Sequence, residues 1–501
     1  MQSYFVEKIS QHRVRRNFFK FLLTLPLLIL GACSDDDDDV TMVPTTPESS
    51  ETSETNVRIT HASPDAPLVN VIVNESGDDT FEGVDYRQTS GLVSINPGSN
   101  SVVIQASLPG NDPVTLTTVN FDVASGETYD ILAINTAESL EILELQDSGM
   151  PSDSLQSRTR VAHLSSVAPQ VDVHVTTVDE NISAATVVAT LSFKEVSEPL
   201  EVVGGMYRVR ITASGDLTPV YDSGEIPYLA PGDNTILAAV DNTGAGMSPV
   251  SLLAIDNIDA TNTFDTIGGA SLRVIHASPN APAVDVIVNE NTAAPAVSNF
   301  AYASAPTDFI SPLVAGSYDI NVVATSVTDL EQSAIDATVT LENGIPYSVV
   351  ALNVLGSIEA IVLDETRRRI AGVAQVRIVH AVPATGAASV DIFVVPADTD
   401  ITPDTVTPSF SEVPFKADTG YVQLAPNTYD IIVTAPGTKN VLFRADDITV
   451  AANGLYTAIA SDGIQIDGDG AAVVDGDGNI VFDETTVDLI LGDDFVTPPT
   501  F

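Results

Sequence analysis

The sequence predicts an all-β protein built as four tandem antiparallel β-sandwich modules of immunoglobulin-like shape. Three observations carry that reading. First, an Arg-x-x-His word recurs at Arg58/His61, Arg160/His163, Arg273/His276 and Arg377/His380, so the arginines stand 102, 113 and 104 residues apart. Steps of that size are whole small domains, not solenoid turns. Second, each word leads into a run with period two. The runs are Val69-Asn-Val71-Ile-Val73, Val171-Asp-Val173-His-Val175, Val284-Asp-Val286-Ile-Val288 and Val390-Asp-Ile392-Phe-Val394. Such alternation gives a strand one continuous apolar face. Third, turn signals separate many short β-branched segments, and no long stretch shows the 3.6-residue period of a helix.

Taken in chain order, residues 1–32 read as an export signal. Lys8, Arg13, Arg15, Arg16 and Lys20 precede or open an apolar run from Phe18 to Leu30, which is short for a membrane span. The run ends in Leu30-Gly31-Ala32-Cys33, which resembles the lipobox of bacterial lipoproteins, and Cys33 is the only cysteine. That resemblance implies acylation of Cys33 and a membrane anchor, since two or more acyl chains hold where one does not. Val14-Arg15-Arg16-Asn17-Phe18-Phe19-Lys20 resembles the twin-arginine motif, while Val14 and the leucine-rich core favour the general secretory route; both routes stay open. Ser34 after the cysteine points to the outer membrane of a bacterial envelope, although Asp35 to Asp39 blur that sorting signal.

Residues 33–56 are Asp, Ser, Thr, Glu and Pro with almost nothing to bury, and read as a self-repelling tether. Fully extended it would reach on the order of 75 Å. The modules then span 57–147, 158–257, 272–365 and 374–488, with a C-terminal tail at 489–501. The third linker, Thr366–Val373, carries Arg367, Arg368 and Arg369, which are expected to bridge neighbouring acidic modules. Within the modules, Tyr129, Tyr207, Tyr318, Tyr347, Tyr429 and Tyr456 open strands after turn residues, a placement that resembles the tyrosine corner of Greek-key sandwiches. Each module should close on a hairpin such as Ile131–Asn135 with Leu140–Leu145.

The fuller word Arg58-Ile-Thr-His61-Ala-Ser63-Pro-Asp65-Ala-Pro67, repeated as Arg273-Val-Ile-His276-Ala-Ser278-Pro-Asn280-Ala-Pro282, resembles the opening of the bacterial domain of unknown function 4397. The match is closest at 57–74 and 272–289. Module two lacks the Pro, and module four has Val382 in place of Ser. The resemblance implies an extracytoplasmic β-domain of lipid-anchored and surface proteins, with no established activity.

The residues of the word are read as structural. His61, His163, His276 and His380 fall on the apolar side, where an imidazole can bond a loop carbonyl. Ser63 or Ser278 and Asp65 or Asn280 would hold the Pro-rich turn. A hydrolytic triad of His61, Ser63 and Asp65 is disfavoured, because two-residue steps do not aim the three at one another. Arg58, Arg160, Arg273 and Arg377 face the other way and are expected to pair with Asn70, Asp172, Asp285 or Asp391 across the sheet. Asp467, Asp469, Asp475, Asp477 and Asn479 form Asp-Gly runs that suit hairpin turns and, less well, a calcium loop: Ile480 stands where the EF-hand needs Gly.

The formal net charge is −48. Losing residues 1–32 removes five basic residues and one acidic residue, leaving 15 and 67 and a charge of −52. Such a body repels nucleic acid and anionic lipid. The expected function is display of repeated modules for binding or adhesion, or as a spacer, without catalysis and without a cofactor. The partners would be the membrane, through Cys33, and a protein or polysaccharide ligand. An extracytoplasmic hydrolase-like enzyme with its site in one divergent module, or a calcium-stabilised scaffold, are the alternatives.

Overall fold

The computed structural model describes residues 55–74, 80–147, 151–225, 228–304, 306–382, 389–464 and 482–493, together with residues 473 and 476. The export signal, Cys33, nearly all of the tether and the five calcium candidates lie outside the described residues.

Module one shows the plan. Its strands are β1 (Asn56–His61), β2 (Val69–Val73), β3 (Thr80–Val84), β4 (Val93–Ser94), β5 (Gly98–Ala106), β6 (Val114–Val123), β7 (Thr128–Ile134) and β8 (Glu141–Asp147). They form one sheet in the order β4-β1-β7-β8 and a second in the order β3-β2-β5-β6. Val57, Ile59, Val69, Val71, Val73, Ile104, Phe121 and Ile131 meet between the sheets. The alternation predicted for β2 is seen directly, with every second residue buried. Modules two, three and four repeat the two-sheet plan, so the chain is a tandem array of β-sandwiches.

The sheets are antiparallel apart from one pair in each module. β1 runs parallel to β7, and the same pairing joins Gln156–His163 to Asn234–Asp241, Ala270–His276 to Pro346–Leu352, and Ala374–Ala381 to Leu455–Ile464. The cause is the Pro-rich turn after β1, which sends the chain into the opposite sheet. The chain first returns with β4 on one edge of β1, crosses again through β5 and β6, and only then lays β7 along the other edge of β1 in the parallel sense. Strands also extend past the expected boundaries. Ala260–Thr263 adds a fifth strand to one sheet of module two inside the expected 258–271 linker, module three opens at Ala270, and the last strand runs to Asp493.

Three of the six expected tyrosine corners are present, while Tyr129 donates to Glu144 and the hydroxyls of Tyr347 and Tyr456 accept the amides of Glu342 and Ala451. Tyr207, Tyr318 and Tyr429 donate their hydroxyls to the carbonyls of Val203, Val314 and Ala425, four residues upstream, at 2.6, 2.8 and 2.9 Å. Module one makes the same bond without a tyrosine, from Asn100 to the Asn96 carbonyl at 2.9 Å.

The modules are packed, not strung out. Leu132 and Ile134 point away from the core of module one and join Ala162, Ile236, Ala238, Val240 and Leu253 of module two in a buried cluster. Ile275, Val350 and Leu352 of module three meet Val379, Ala381 and Ile459 of module four in the same way. Both pairs are therefore back to back through the sheet that carries the repeat word. The same ion pair recurs at the rim of each, Lys194–Glu141 at 2.5 Å and Lys416–Glu359 at 2.7 Å.

Two further contacts close these pairs into one body. At the junction of modules two and three, the Ala245 amide donates to the Gly344 carbonyl at 2.8 Å, and Phe264 lies against Gly244 and Gly344. Gly344 has φ +82°, and a Cβ there would overlap the Phe264 ring. Gly344→Ala should therefore lower stability by about 2–3 kcal/mol through overpacking and a strained backbone. It should also expose the junction to limited proteolysis, and an unchanged cleavage pattern would show that the contact holds nothing. The linker 366–373 makes the second closure. Arg368 donates to the carbonyls of Pro64 and Ala66 at 2.8 and 2.7 Å and pairs with Asp85. The Ala371 amide reaches the Asp65 carbonyl at 2.7 Å, and Arg369 reaches the Asn453 carbonyl at 2.6 Å. Arg367 donates to the Gly244 carbonyl of module two at 3.4 Å, so all three arginines reach neighbouring modules.

Candidate functional site

Three of the four histidines of the word, His61, His163 and His276, lock the turn that follows them. The Ser63 amide donates to His61 Nδ1 at 3.3 Å, which leaves the ring proton on Nε2, 3.2 Å from the Pro67 carbonyl. His276 repeats both contacts with Ser278 and Pro282, and His163 Nε2 lies 2.8 Å from the Pro169 carbonyl. An aromatic ring meets the imidazole edge to face: Tyr86 against His61, Tyr302 against His276 and Phe415 against His380. Burial pushes His61 down to about 4, with Arg368 adding to the effect and the Pro67 carbonyl opposing it. Burial likewise takes His380 to about 4 and lowers His163 and His276. These rings are neutral at pH 7; those of His61, His163 and His276 are occupied by the turn, while His380 Nε2 is buried without a partner among the described residues.

The other residues of the word correct the expectation in part. Asp65 Oδ1 accepts the Ala137 amide and Asn280 Oδ1 the Leu355 amide, both at 2.7 Å, so each ties its turn to the closing hairpin of its own module. Ser63 and Ser278 do not hold the turn with their side chains: both hydroxyls are buried without a partner among the described residues. His61, Ser63 and Asp65 thus point to three separate places.

The arginines are placed differently from the expected cross-sheet pairing. β1 and β2 lie in different sheets, so outward side chains on them point in opposite directions, and Arg58 cannot meet Asn70. Arg58 pairs instead with Asp130 at 2.6 Å and donates across to module two, to the carbonyls of Asn234 and Asp256 at 3.1 and 2.7 Å. Arg160 reaches back to the Gln146 carbonyl of module one at 3.5 Å. In the second pair, Glu365 receives Arg273 at 3.1 Å and Arg377 at 2.6 Å, with Ser348 and Tyr421 hydroxyls on the same carboxylate. The repeat arginines are interface residues. Asp172, Asp285 and Asp391 accept loop amides instead, from Gly215, Ser326 and Gly437.

Closure of the ring leaves a cleft of about 420 Å³ where all four modules meet. Asp85, Arg87, Thr243, Phe264, Tyr421 and Gln423 are among its walls. Arg87 stacks over Tyr86 and Phe264 at 4.6 and 5.0 Å and donates to Thr243 at 2.9 Å. The walls combine aromatic edges with donors and acceptors of both charges, the make-up of a pocket for a polar ligand of moderate size. Nothing in the repeat word points to this cleft, because its members come from unrelated turns of four modules and one linker. Among the described residues there is no group of three or more His, Cys, Asp or Glu side chains able to hold a metal.

The molecule is thus a tandem array of β-sandwiches in which one His-anchored turn is repeated module by module. The family described as Domain of unknown function (DUF4397) matches residues 55–174, 270–393 and 374–490, and the chain belongs to that family. The first match covers module one and ends at His174, so the rest of module two, 175–269, lies outside the matched residues. No curated protein matches the chain. Among solved structures the Bacillus anthracis TIE protein is similar over 78% of this chain and 65% of that one, at 11% identity and a TM-score of 0.12.

Proposed function

We propose that the chain is a lipid-anchored envelope protein, held to a membrane through acylated Cys33, that displays its four modules as one acidic body for binding a protein or polysaccharide. The ring of contacts from module one through module four, closed by Arg368 on the first Pro-rich turn, is the observation that carries this reading. Modules folded against one another make a poor spacer, since back-to-back packing shortens the array. They make a good platform, because a cleft with walls from four modules keeps its shape only if the modules are fixed. The histidines and arginines of the word already hold turns and interfaces, which supports a role without catalysis.

Residues 34–501, incubated with envelope and polysaccharide fractions with and without EDTA, should retain a component of one fraction. Retention of nothing under any condition would remove the binding reading. In the full-length protein, Cys33→Ser should move the chain from the membrane to the soluble fraction, and persistent membrane association would refute the anchor.

A further inference from the structure

Module two carries a buried histidine and arginine that its sister modules lack, beside a buried threonine, Thr212, whose counterpart in module four is the equally orphaned Thr434. His174 lies on the strand Val171–Thr176, directly opposite Arg210 on Arg208–Ala213, and Thr212 is the next residue along on the same face. The corresponding pairs are Ile72 with Val103 in module one, Ile287 with Asn321 in module three and Phe393 with Ile432 in module four. In modules two and four, long segments follow this strand. Residues 397–409 of module four cover their apolar pair with Ile401 and Val406, a small second core. Residues 177–188 of module two instead cover a histidine and an arginine.

The cover does not satisfy what it buries. His174 is 0% exposed and Arg210 4%, yet both ring nitrogens of His174, Nε of Arg210 and Oγ1 of Thr212 have no hydrogen-bond partner among the described residues. Arg210 donates only to neutral oxygens, Thr176 Oγ1 at 2.8 Å and the Glu180 carbonyl at 2.7 Å. The neighbouring carboxylates are taken: Asp222 is bound by Arg208 at 2.6 Å, and Asp172 by Thr190, Ser214 and the Gly215 amide. Arg210 therefore makes no ion pair of its own among the described residues, although Asp222 stands opposite it across the strands, and buried polar groups left without partners carry a penalty. An apolar pair would avoid that penalty, as modules one and four demonstrate.

We propose that His174, Arg210 and Thr212 form a covered binding site for a small oxyanion, a phosphate, sulfate or carboxylate group, with residues 177–188 as its strap. The three side chains supply a guanidinium N–H, an imidazole N–H and a hydroxyl, the donor set that an oxyanion accepts. Entry requires the strap to lift. That breaks the Glu180 contact to Arg210 and the bond from the Val188 amide to the Val173 carbonyl, 2.8 Å long. The site is independent of the central cleft and of the display function.

The test uses the mature chain with inorganic phosphate, sulfate and acetate as probes, read by the His174 ring resonances and by the melting temperature. At least one probe should give a saturable shift and raise the melting temperature. His174→Ile with Arg210→Val, which recreates the pair of module one, should weaken binding at least about tenfold and, without anion, melt above the parent. No saturable response to any probe, or the same affinity in the double variant, overturns the proposal. If that variant does not fold, Thr212→Val decides: affinity about threefold or more weaker supports the site, and unchanged affinity ends it.

Discussion

Glu365→Ala should destabilise the pair formed by modules three and four by about 3–5 kcal/mol, the range for stranding a buried charge. The carboxylate is 1% exposed and is the shared counter-charge of Arg273 and Arg377, whose side chains are 4% and 2% exposed. One arginine comes from each module, so the variant leaves two guanidinium groups facing each other in a dry interface. Ser348 and Tyr421 lose their acceptor at the same time. Urea unfolding should show modules three and four melting ahead of modules one and two, whose own arginine is held by Asp130. Glu365→Gln, which keeps shape and hydrogen bonds but not charge, should fall between the two. A single coincident transition at the parental midpoint would show that the network adds nothing. Burial alone would raise the Glu365 carboxyl, but Arg377 and Arg273 with the two hydroxyls hold it below the usual range. Its contribution is therefore present above about pH 4.3 and is lost only under stronger acid.

The histidines should act earlier on the pH scale. His61 and His380 take a proton at about 4 in the fold and at about 6.5 in the unfolded chain. Between those values the unfolded state binds more protons, so stability falls as the pH falls. Each of the two contributes about 3 kcal/mol above pH 6.5 that is gone by about pH 4. His163 and His276, lowered for the same reason, act in the same direction. Asp241 and Asp265, which burial raises, gain protons sooner in the fold and offset part of the loss near its acid end. Urea midpoints at pH 7.5, 5.5 and 4.5 should therefore step downward, and less so in His61→Asn. Equal midpoints at pH 7.5 and 5.5 would mean that the rings are not buried neutral.

Much of each module was legible because its signals are local. A period of two, a histidine before a Pro-rich turn and a tyrosine after a turn all act within a few residues, and the fold uses them where they stand. What failed to show was the assignment of strands to sheets. Alternation tells which side of a strand is apolar, but not which neighbour it faces. Alternation alone therefore pairs the arginine with the aspartate of a strand that lies in the other sheet. The back-to-back pairing did leave a trace in Ile131-Leu-Ala-Ile134, Ile236-Leu-Ala-Ala-Val240 and Val349-Val-Ala-Leu352, which are apolar on both faces and buried throughout. Such strands have a second partner above the sheet. Asn100 in place of a corner tyrosine, and Glu365 beside a linker, carry no pattern at all, since each gains its role only from residues far away in the chain.

The parallel pairing of β1 and β7 has a mechanical side. Any pull on the segment before residue 55 enters the body at the start of β1, along the strand. All six register positions, from Asn56 opposite Thr128 to His61 opposite Ala133, then share the load in shear and must yield together. A strand peeled sideways would give way one rung at a time under far less force. With Arg58 clamped into module two halfway along, such a pull bears on two domains at once.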